Sequence, residues 1–268
     1  MRPLFGQDLS SAEMVLAFIS ASLIFCAVPP EPLIFPPRSA EVLPSSPDPA
    51  TARTWFLFRV YFHLAAAVAL FVGLEVLFFT GGLAERIAMS LTGVPWLLVL
   101  GAFVLLSWLA SLLASPARSL PLQYAGFIVY VILQSLIFVP LLYEANLRMP
   151  GVIQSAAQAT LGGFFLLTAV VVTTGKDFSF LRSFLIWGGI FSLVAIVLSL
   201  LIPFPLGAWF SVAMILLAGA SVLHTTSGVL RAHSDDPASA PVSAALQLFA
   251  DIALAFWYVL RLFMSVKR

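Results

Sequence analysis

Seven long apolar stretches follow one another along this chain, and no other feature of the sequence constrains its fold as strongly. They cover residues 57–79, 94–114, 121–143, 152–174, 183–202, 207–230 and 242–263. Each is close to or above the roughly 20 residues that cross a bilayer as a helix. Lipid offers backbone amides no hydrogen-bond partners, and the stretches lack strand-like alternation. The sequence therefore predicts an all-α, polytopic membrane bundle with about seven transmembrane helices.

Composition agrees with a bilayer as the main partner of this chain. Hydrophobic residues make up 61% of the sequence and charged residues only 9%, whereas soluble domains carry about 25% charged residues. The net charge of +1 and the absence of a basic, aromatic-interleaved stripe argue against nucleic acid as a partner. A single cysteine, Cys26, excludes disulfides and cysteine-based zinc sites within one chain.

The N-terminal part of the chain has a different character. Met14–Val28 is apolar but too short to span, so we interpret it as an interfacial or packed helix, with a cleaved signal peptide as the alternative. Residues 29–54 are rich in proline and predict a linker. We therefore expect an N-terminal extension over 1–54 and a membrane domain over 55–268.

The connections between the apolar stretches are short and leave no room for a soluble catalytic domain. Two glycine pairs within the stretches, Gly162-Gly163 and Gly188-Gly189, indicate close helix packing. Lys and Arg residues near the helix ends favour a cytoplasmic N-terminal side by eight to five. That side holds Arg2, Arg38, Arg53, Arg59, Arg118, Lys176, Arg182 and Arg231, and the other holds Arg86, Arg148, Arg261, Lys267 and Arg268.

Ionisable residues inside the spans are the candidates for function, because charge at membrane depth is expensive. They are His63, Glu75, His224 and Asp251. Counting residues from the helix ends predicts one polar layer on the side of the loop between the sixth and seventh spans. Its predicted members are Arg59, His63, His224, Thr225, Thr226, Gln247 and Asp251. Glu75 is predicted to lie near the opposite surface as a separate intramembrane acid.

Asp251 is the strongest of these candidates. A carboxylate at that depth must be paired or protonated, so we expect it to point inward from a buried last helix. His224 and Arg59 are its predicted partners. With Asp251, His63 and His224 could in principle hold a metal ion, but no ligand spacing supports a site. Whether the chain binds a metal therefore stays open.

Signatures of enzymes are missing from the sequence. It contains no H-E-x-x-H, G-x-S-x-G, P-loop or G-x-G-x-x-G pattern, and its lysines lie at helix ends. We therefore expect neither an enzymatic activity nor a cofactor.

Four segments resemble the Bax inhibitor-1 family in its bacterial YccA-like branch. TTGKDFSFLRSFL resembles the loop between that family's fourth and fifth helices, and VLHTTSGVL the end of its sixth. ALQLFADIALAFWYVLRLF resembles its last helix, and YAGFIVYVILQSLIFVPLL its third. The segments occur in the family's order over roughly residues 55–265. The resemblance implies a seven-helix bundle with the last helix at its centre.

The resemblance also implies a function. Some members of the family are pH-sensitive calcium leak channels in which aspartates on the sixth and seventh helices share a proton and control a gate. Other bacterial members bind a membrane-embedded AAA protease, and eukaryotic members restrain cell death. The last-helix aspartate of the family matches Asp251, whereas the sixth-helix aspartate falls on Thr225. This chain therefore lacks the second carboxylate of the pair.

Two functions follow as expectations. The first is a pH-modulated cation leak channel for calcium or protons, with Asp251, His224 and Thr225 as gating and proton-sensing residues. The alternative is a non-conducting regulator that binds a membrane protease or another membrane protein. Both place the chain in a membrane, with the bacterial inner membrane as the expected location.

Overall fold

A computed structural model describes residues 49–92, 96–115, 118–201, 207–231 and 240–266 of the chain. The predicted helix Met14–Val28 and most of the predicted linker lie outside the described residues. Within the described ranges the chain is built from helices, which confirms the predicted all-α class. In chain order they are α1 (Pro49–Thr80), α2 (Leu83–Thr92), α3 (Trp96–Leu113), α4 (Leu120–Arg148), α5 (Val152–Thr174), α6 (Leu181–Leu201), α7 (Ala208–Arg231) and α8 (Ala240–Val266).

Five of these helices are long and apolar enough to cross a membrane, judged over the described residues. The spans are Thr54–Thr80 in α1, Leu120–Arg148 in α4, Val152–Thr174 in α5, Ala208–Arg231 in α7 and Pro241–Val266 in α8. Shorter apolar segments occur in α3, over Gly101–Leu113, and in α6, over Leu181–Ser192. A helical membrane protein is thereby confirmed, while the count of seven spans stays a prediction.

The start of α1 and the presence of α2 differ from the sequence prediction. Helix α1 begins at Pro49, inside the segment predicted as a linker. Proline fits the first turn of a helix, where its missing N–H is not needed. Helix α2 is a ten-residue amphipathic helix that packs Ala84 and Ala88 inward and exposes Glu85 and Arg86. It is too short and too polar to register among the apolar stretches.

Helix α5 shows why some boundaries were predictable. It runs from Val152 to Thr174, as expected from the sequence. Gly151 before it and Gly175 after it both have positive φ, at 84° and 58°. Glycine adopts that backbone region without a steric penalty, so it ends a helix sharply.

Helix α8 lies at the centre of the bundle and contacts α1, α4, α5 and α7. Tyr130 of α4 meets Phe249 of α8, and Phe138 meets Trp257, so α4 runs parallel to α8. The contacts of His63 with Tyr124 and of Phe71 with Phe138 show that α1 runs parallel to α4 and therefore to α8. Contacts of Ser221 with Asp251 and of Phe210 with Tyr258 show that α7 runs antiparallel to it. The central position of the last helix is thereby confirmed.

The glycines inside the helices differ in how closely a neighbouring helix approaches them. A Cβ on Gly188 of α6 would come within 2.6 Å of Leu217 on α7, which confirms close packing there. Gly162 and Gly163 of α5 have open space where a Cβ would stand, so the packing prediction is wrong for that pair. An equally close approach was missed in the sequence analysis. A Cβ on Gly126 of α4 would come within 2.6 Å of backbone atoms of Ala110 in α3 and of Ala114 just after it.

Candidate functional site

Asp251 is buried in the middle of the central helix. Its side chain is 3% exposed, and the residues on either side of it in α8 are buried as well. The prediction that this carboxylate points inward rather than toward lipid is therefore confirmed. A carboxylate in such surroundings needs hydrogen-bond donors close by.

Two hydroxyl groups of α7 supply those donors. Ser221 Oγ donates to Asp251 Oδ1 at 2.6 Å, and Thr225 Oγ1 donates to Asp251 Oδ2 at 2.8 Å. Ser221 and Thr225 are four residues apart and so share one face of their helix. Both are themselves buried. Each carboxylate oxygen thus has its own donor across the interface between α7 and α8.

The side chains of this cluster can bind a proton and offer few ligands to a metal ion. Its described side chains provide one carboxylate and two hydroxyls, and hard divalent cations take six to eight oxygens, several of them charged. No group of three or more His, Cys, Asp or Glu side chains is gathered anywhere among the described residues. An ionised Asp251 accepts both hydroxyl bonds, whereas its protonated form has one O–H that donates instead.

His224 does not partner Asp251. Its Nδ1 lies 3.2 Å from the backbone carbonyl oxygen of Phe178, in the loop between α5 and α6. Depth placed His224 at the right level, but position 224 is rotated by about 100° around the helix from position 225. The hydroxyl of Thr225 therefore faces α8 while the imidazole faces the loop. The predicted partnership between His224 and Asp251 is wrong.

His63 also has other partners. Its Nδ1 lies 2.6 Å from the backbone carbonyl of Arg59, and its Nε2 lies 2.8 Å from the hydroxyl of Tyr124 on α4. A carbonyl only accepts, so Nδ1 carries a hydrogen, and a neutral ring then accepts from Tyr124 at Nε2. The ring also packs against Phe127. His63 is thus satisfied at the interface between α1 and α4, and Asp251 takes its bonds from α7.

The remaining members of the predicted layer do not converge on Asp251. The Arg59 side chain is exposed on α1, so it is not the buried partner that the sequence suggested. Gln247 is half-buried one turn before Asp251 on α8. Thr226 is fully buried, and its hydroxyl has no hydrogen-bond partner within the described ranges. Of the predicted layer, the structure brings only Thr225 to Asp251.

The loop between α5 and α6 is docked on the end of α7. Besides the His224 contact, Asp177 of the loop forms an ion pair with Arg231, the last residue of α7. The Ser179 N–H donates to Asp177 Oδ1 at 2.7 Å. That hydrogen bond, with a smaller effect of Arg231, holds the pKa of Asp177 below its ordinary value of 3.8. The loop therefore carries a charge that persists well into the acid range.

Comparison with known proteins identifies the family. The family model described as "Inhibitor of apoptosis-promoting Bax1" matches residues 53–268, which is most of the chain. This chain belongs to the Bax inhibitor family. The searches of curated proteins and of solved structures found no match.

The residues that hold Asp251 all belong to the part of the chain that the family model matches. The match begins close to the start of the first span and includes α7 and α8, so the whole cluster lies within the Bax inhibitor domain. Ser221 was missed in the sequence analysis, because a serine at membrane depth carries no charge. Its spacing of four residues from Thr225 is the signal that could have indicated it.

Proposed function

We propose that this Bax inhibitor family member is a non-enzymatic, pH-modulated cation leak channel of the YccA-like type, with Asp251 at its gate. The observation that carries the proposal is the pair of hydrogen bonds from Ser221 and Thr225 to the buried carboxylate. These bonds join the central helix to a single neighbour. A change in the charge of Asp251 therefore acts directly on the contact between α7 and α8.

The proposed gate works through the number of donors and acceptors. Ionised Asp251 accepts a hydrogen bond on each oxygen and holds both hydroxyls against α8. When Asp251 binds a proton, one of its oxygens becomes a donor, so at least one hydroxyl must turn away or reverse its role. The contact between α7 and α8 then loosens, and cations leak along it. Acidification is expected to raise the leak.

This gate differs from the aspartate pair that the family resemblance implies. Two carboxylates hold together by sharing a proton, whereas one carboxylate and two hydroxyls hold together best without one. The lone carboxylate also provides few charged oxygens, which suits a leak of low selectivity better than tight binding of calcium.

Flux into proteoliposomes tests the proposal. Calcium entry would be followed with an internal dye over a pH series, and proton entry in parallel vesicles, for the wild type and Asp251→Asn. The asparagine amide cannot accept two hydroxyl bonds in the same way, so the variant should leak at neutral pH as the wild type does in acid. Asp177→Asn is the matched control, because it removes an exposed loop carboxylate and should keep the wild-type pH profile.

The same experiment separates the alternative function. A regulator that binds a membrane-embedded AAA protease or another membrane protein needs no conduction. Flux equal to that of empty liposomes at every pH, in all variants, would contradict the channel proposal and favour the regulator.

We also propose the bacterial inner membrane as the location, with the N-terminal side in the cytoplasm. The excess of Lys and Arg on that side supports this orientation. Reporter fusions after Arg231 and after Arg148 would test it, because these positions are predicted to lie on opposite faces. Cytoplasmic activity for the fusion after Arg148, and not for the one after Arg231, would reverse the orientation.

A further inference from the structure

Glu75 ends the buried face of α1. That face consists of Phe56, Val60, Leu64, Ala67, Phe71 and Glu75. The spacing of three and four residues puts all of them on one side of the helix. Five of them are apolar, and the sixth is a carboxyl group that is only 8% exposed. Neither of its oxygens has a hydrogen-bond partner among the residues that the structure describes.

This face of α1 packs against α4 and α8. Phe71, one turn before Glu75, meets Phe138 of α4 with ring centroids 5.2 Å apart and Phe249 of α8 at 6.0 Å. Phe138 in turn meets Trp257 of α8 at 5.0 Å. Glu75 therefore continues a face that is packed against both α4 and α8.

Glu75 and Asp251 lie on different sides of the central helix. Phe249 faces α1 and α4, whereas Asp251, two residues later, faces α7. Two residues rotate a helix by about 200°, so these side chains leave α8 in nearly opposite directions. The interface that contains Glu75 is thus separate from the Asp251 cluster.

A second buried polar group lies on the Glu75 side. Gln134 is 1% exposed, and its Oε1 has no hydrogen-bond partner within the described ranges. It precedes Phe138 by one turn of α4, while Glu75 follows Phe71 by one turn of α1. Because α1 and α4 run parallel, the Phe71–Phe138 contact lies between the two polar groups.

Unsatisfied buried polar atoms call for water or an ion. A divalent metal is a poor candidate here, since one carboxylate and one amide fall short of the oxygens it needs. A proton needs only the carboxylate, and intramembrane carboxyl groups serve as proton relays in other membrane proteins. We propose that Glu75 is a second proton-binding site, on the α1–α4–α8 side of the bundle, and that the Phe71–Phe138 contact is the barrier between it and Gln134.

The helices packed against α1 carry other charged side chains, and their positions show whether any of them bonds to Glu75. Glu144 and Arg148 of α4 form an ion pair with each other at 2.7 Å. Glu85 and Arg86 are exposed on α2, and Arg261 is half-buried near the end of α8. None of them forms a hydrogen bond with Glu75 among the described contacts. A proton bound to the Glu75 carboxylate makes it neutral, so the site needs no cationic side chain.

Infrared spectroscopy of the purified protein tests the proton site without any need for conduction. Difference spectra between acid and alkaline pH should contain a carboxylic C=O band that is lost in Glu75→Gln and retained in Asp251→Asn. If no such band is lost in Glu75→Gln, the proposal is overturned. Because this readout does not depend on flux, failure of the channel proposal would leave its result unchanged.

Exchange of that band into D₂O tests the barrier. Phe138→Ala should speed the exchange of the Glu75 carboxyl by at least about 10-fold, because water then passes the gap left by the ring. Phe138→Leu, which keeps more volume and protects the fold, should give a smaller acceleration. Phe210→Ala is the matched control, since that ring meets Tyr258 on the α7 side. Exchange at the wild-type rate in both Phe138 variants would overturn the barrier.

Discussion

Thr225 donates a hydrogen bond to Asp251 at 2.8 Å across the interface between the central helix and α7. Thr226, the next residue, is as deeply buried, yet its hydroxyl has no partner among the described residues. The two threonines have the same chemistry and depth and differ in the direction they face. They therefore form a matched pair for measuring what the hydroxyl bond to Asp251 contributes.

Thr225→Val should destabilise the protein by about 1–3 kcal/mol, since it leaves one oxygen of a buried carboxylate without its donor. Thr226→Val keeps the shape and removes a hydroxyl that makes no bond, so it should be neutral or slightly stabilising. Reversible unfolding in detergent micelles would measure both. Equal losses in the two variants would show that the hydroxyl bond to Asp251 contributes nothing specific.

The ion pair between Asp177 and Arg231 should make docking of the α5–α6 loop sensitive to strong acid only. The pKa of Asp177 lies below 3.8, mainly because of the hydrogen bond from the Ser179 N–H. A carboxylate whose pKa is depressed by folding stabilises the folded arrangement above its unfolded pKa and loses that effect as the pH falls through its folded pKa. The loop should therefore stay docked at neutral pH and loosen below about pH 4.

Deuterium uptake by the peptide covering residues 176–180, corrected for the intrinsic pH dependence of exchange, would measure this loosening. Asp177→Asn should show high uptake already at neutral pH. Glu144→Gln is the control, because it breaks an ion pair within α4 and leaves the loop untouched. A wild-type loop that loosens near neutral pH would contradict the assignment to Asp177.

Depth and direction account for what the sequence could and could not predict. Apolar length predicted the five helices that are long enough to cross a membrane, and Gly151 and Gly175 marked the ends of α5. The absence of any charge partner near Asp251 on its own helix correctly indicated a buried carboxylate. Residue counting estimates the height of a side chain from a predicted helix start, and α1 begins at Pro49, before its predicted start. Counting also does not fix the neighbour that the side chain faces.

The predicted polar layer failed in both height and direction. His63 faces Tyr124 on α4 rather than the α7–α8 interface. It also lies eight residues, about 12 Å along the helix, before Phe71, which is the α1 residue that meets Phe249 of α8. The rotation of each helix is set by packing, and packing depends on contacts such as Gly126 against α3 that no single stretch of sequence reveals. The missing hydroxyl, Ser221, is uncharged and so escaped a search for ionisable residues.

Gly126→Ala should separate α3 from α4. The added methyl would lie 2.6 Å from backbone atoms of Ala110 and Ala114, which cannot move aside as a flexible side chain can. Overpacking of this kind typically costs about 1–3 kcal/mol. Gly162→Ala on α5, where a Cβ would stand in open space, should be neutral or stabilising. Comparable thermal stability of the two variants in detergent would contradict the close contact between α3 and α4.

His224→Gln should leave the pH dependence of the cation leak unchanged. The imidazole is one residue from Thr225 in sequence but faces the carbonyl of Phe178 rather than Asp251. A carbonyl oxygen accepts a hydrogen from Nδ1, so the loop rather than the carboxylate holds the imidazole. The glutamine side chain also carries an N–H donor, which can take over the bond to the loop.

Flux measured over the same pH series for His224→Gln and Asp251→Asn distinguishes the two side chains as sensors. If Asp251 alone controls the gate, only its replacement should change the profile. His224→Ala adds a structural control, because it removes the donor to Phe178 and should raise deuterium uptake in the loop without altering the pH profile. A pH response that disappears in His224→Gln while Asp251 is intact would instead make the histidine the sensor, acting through the docked loop rather than through the carboxylate.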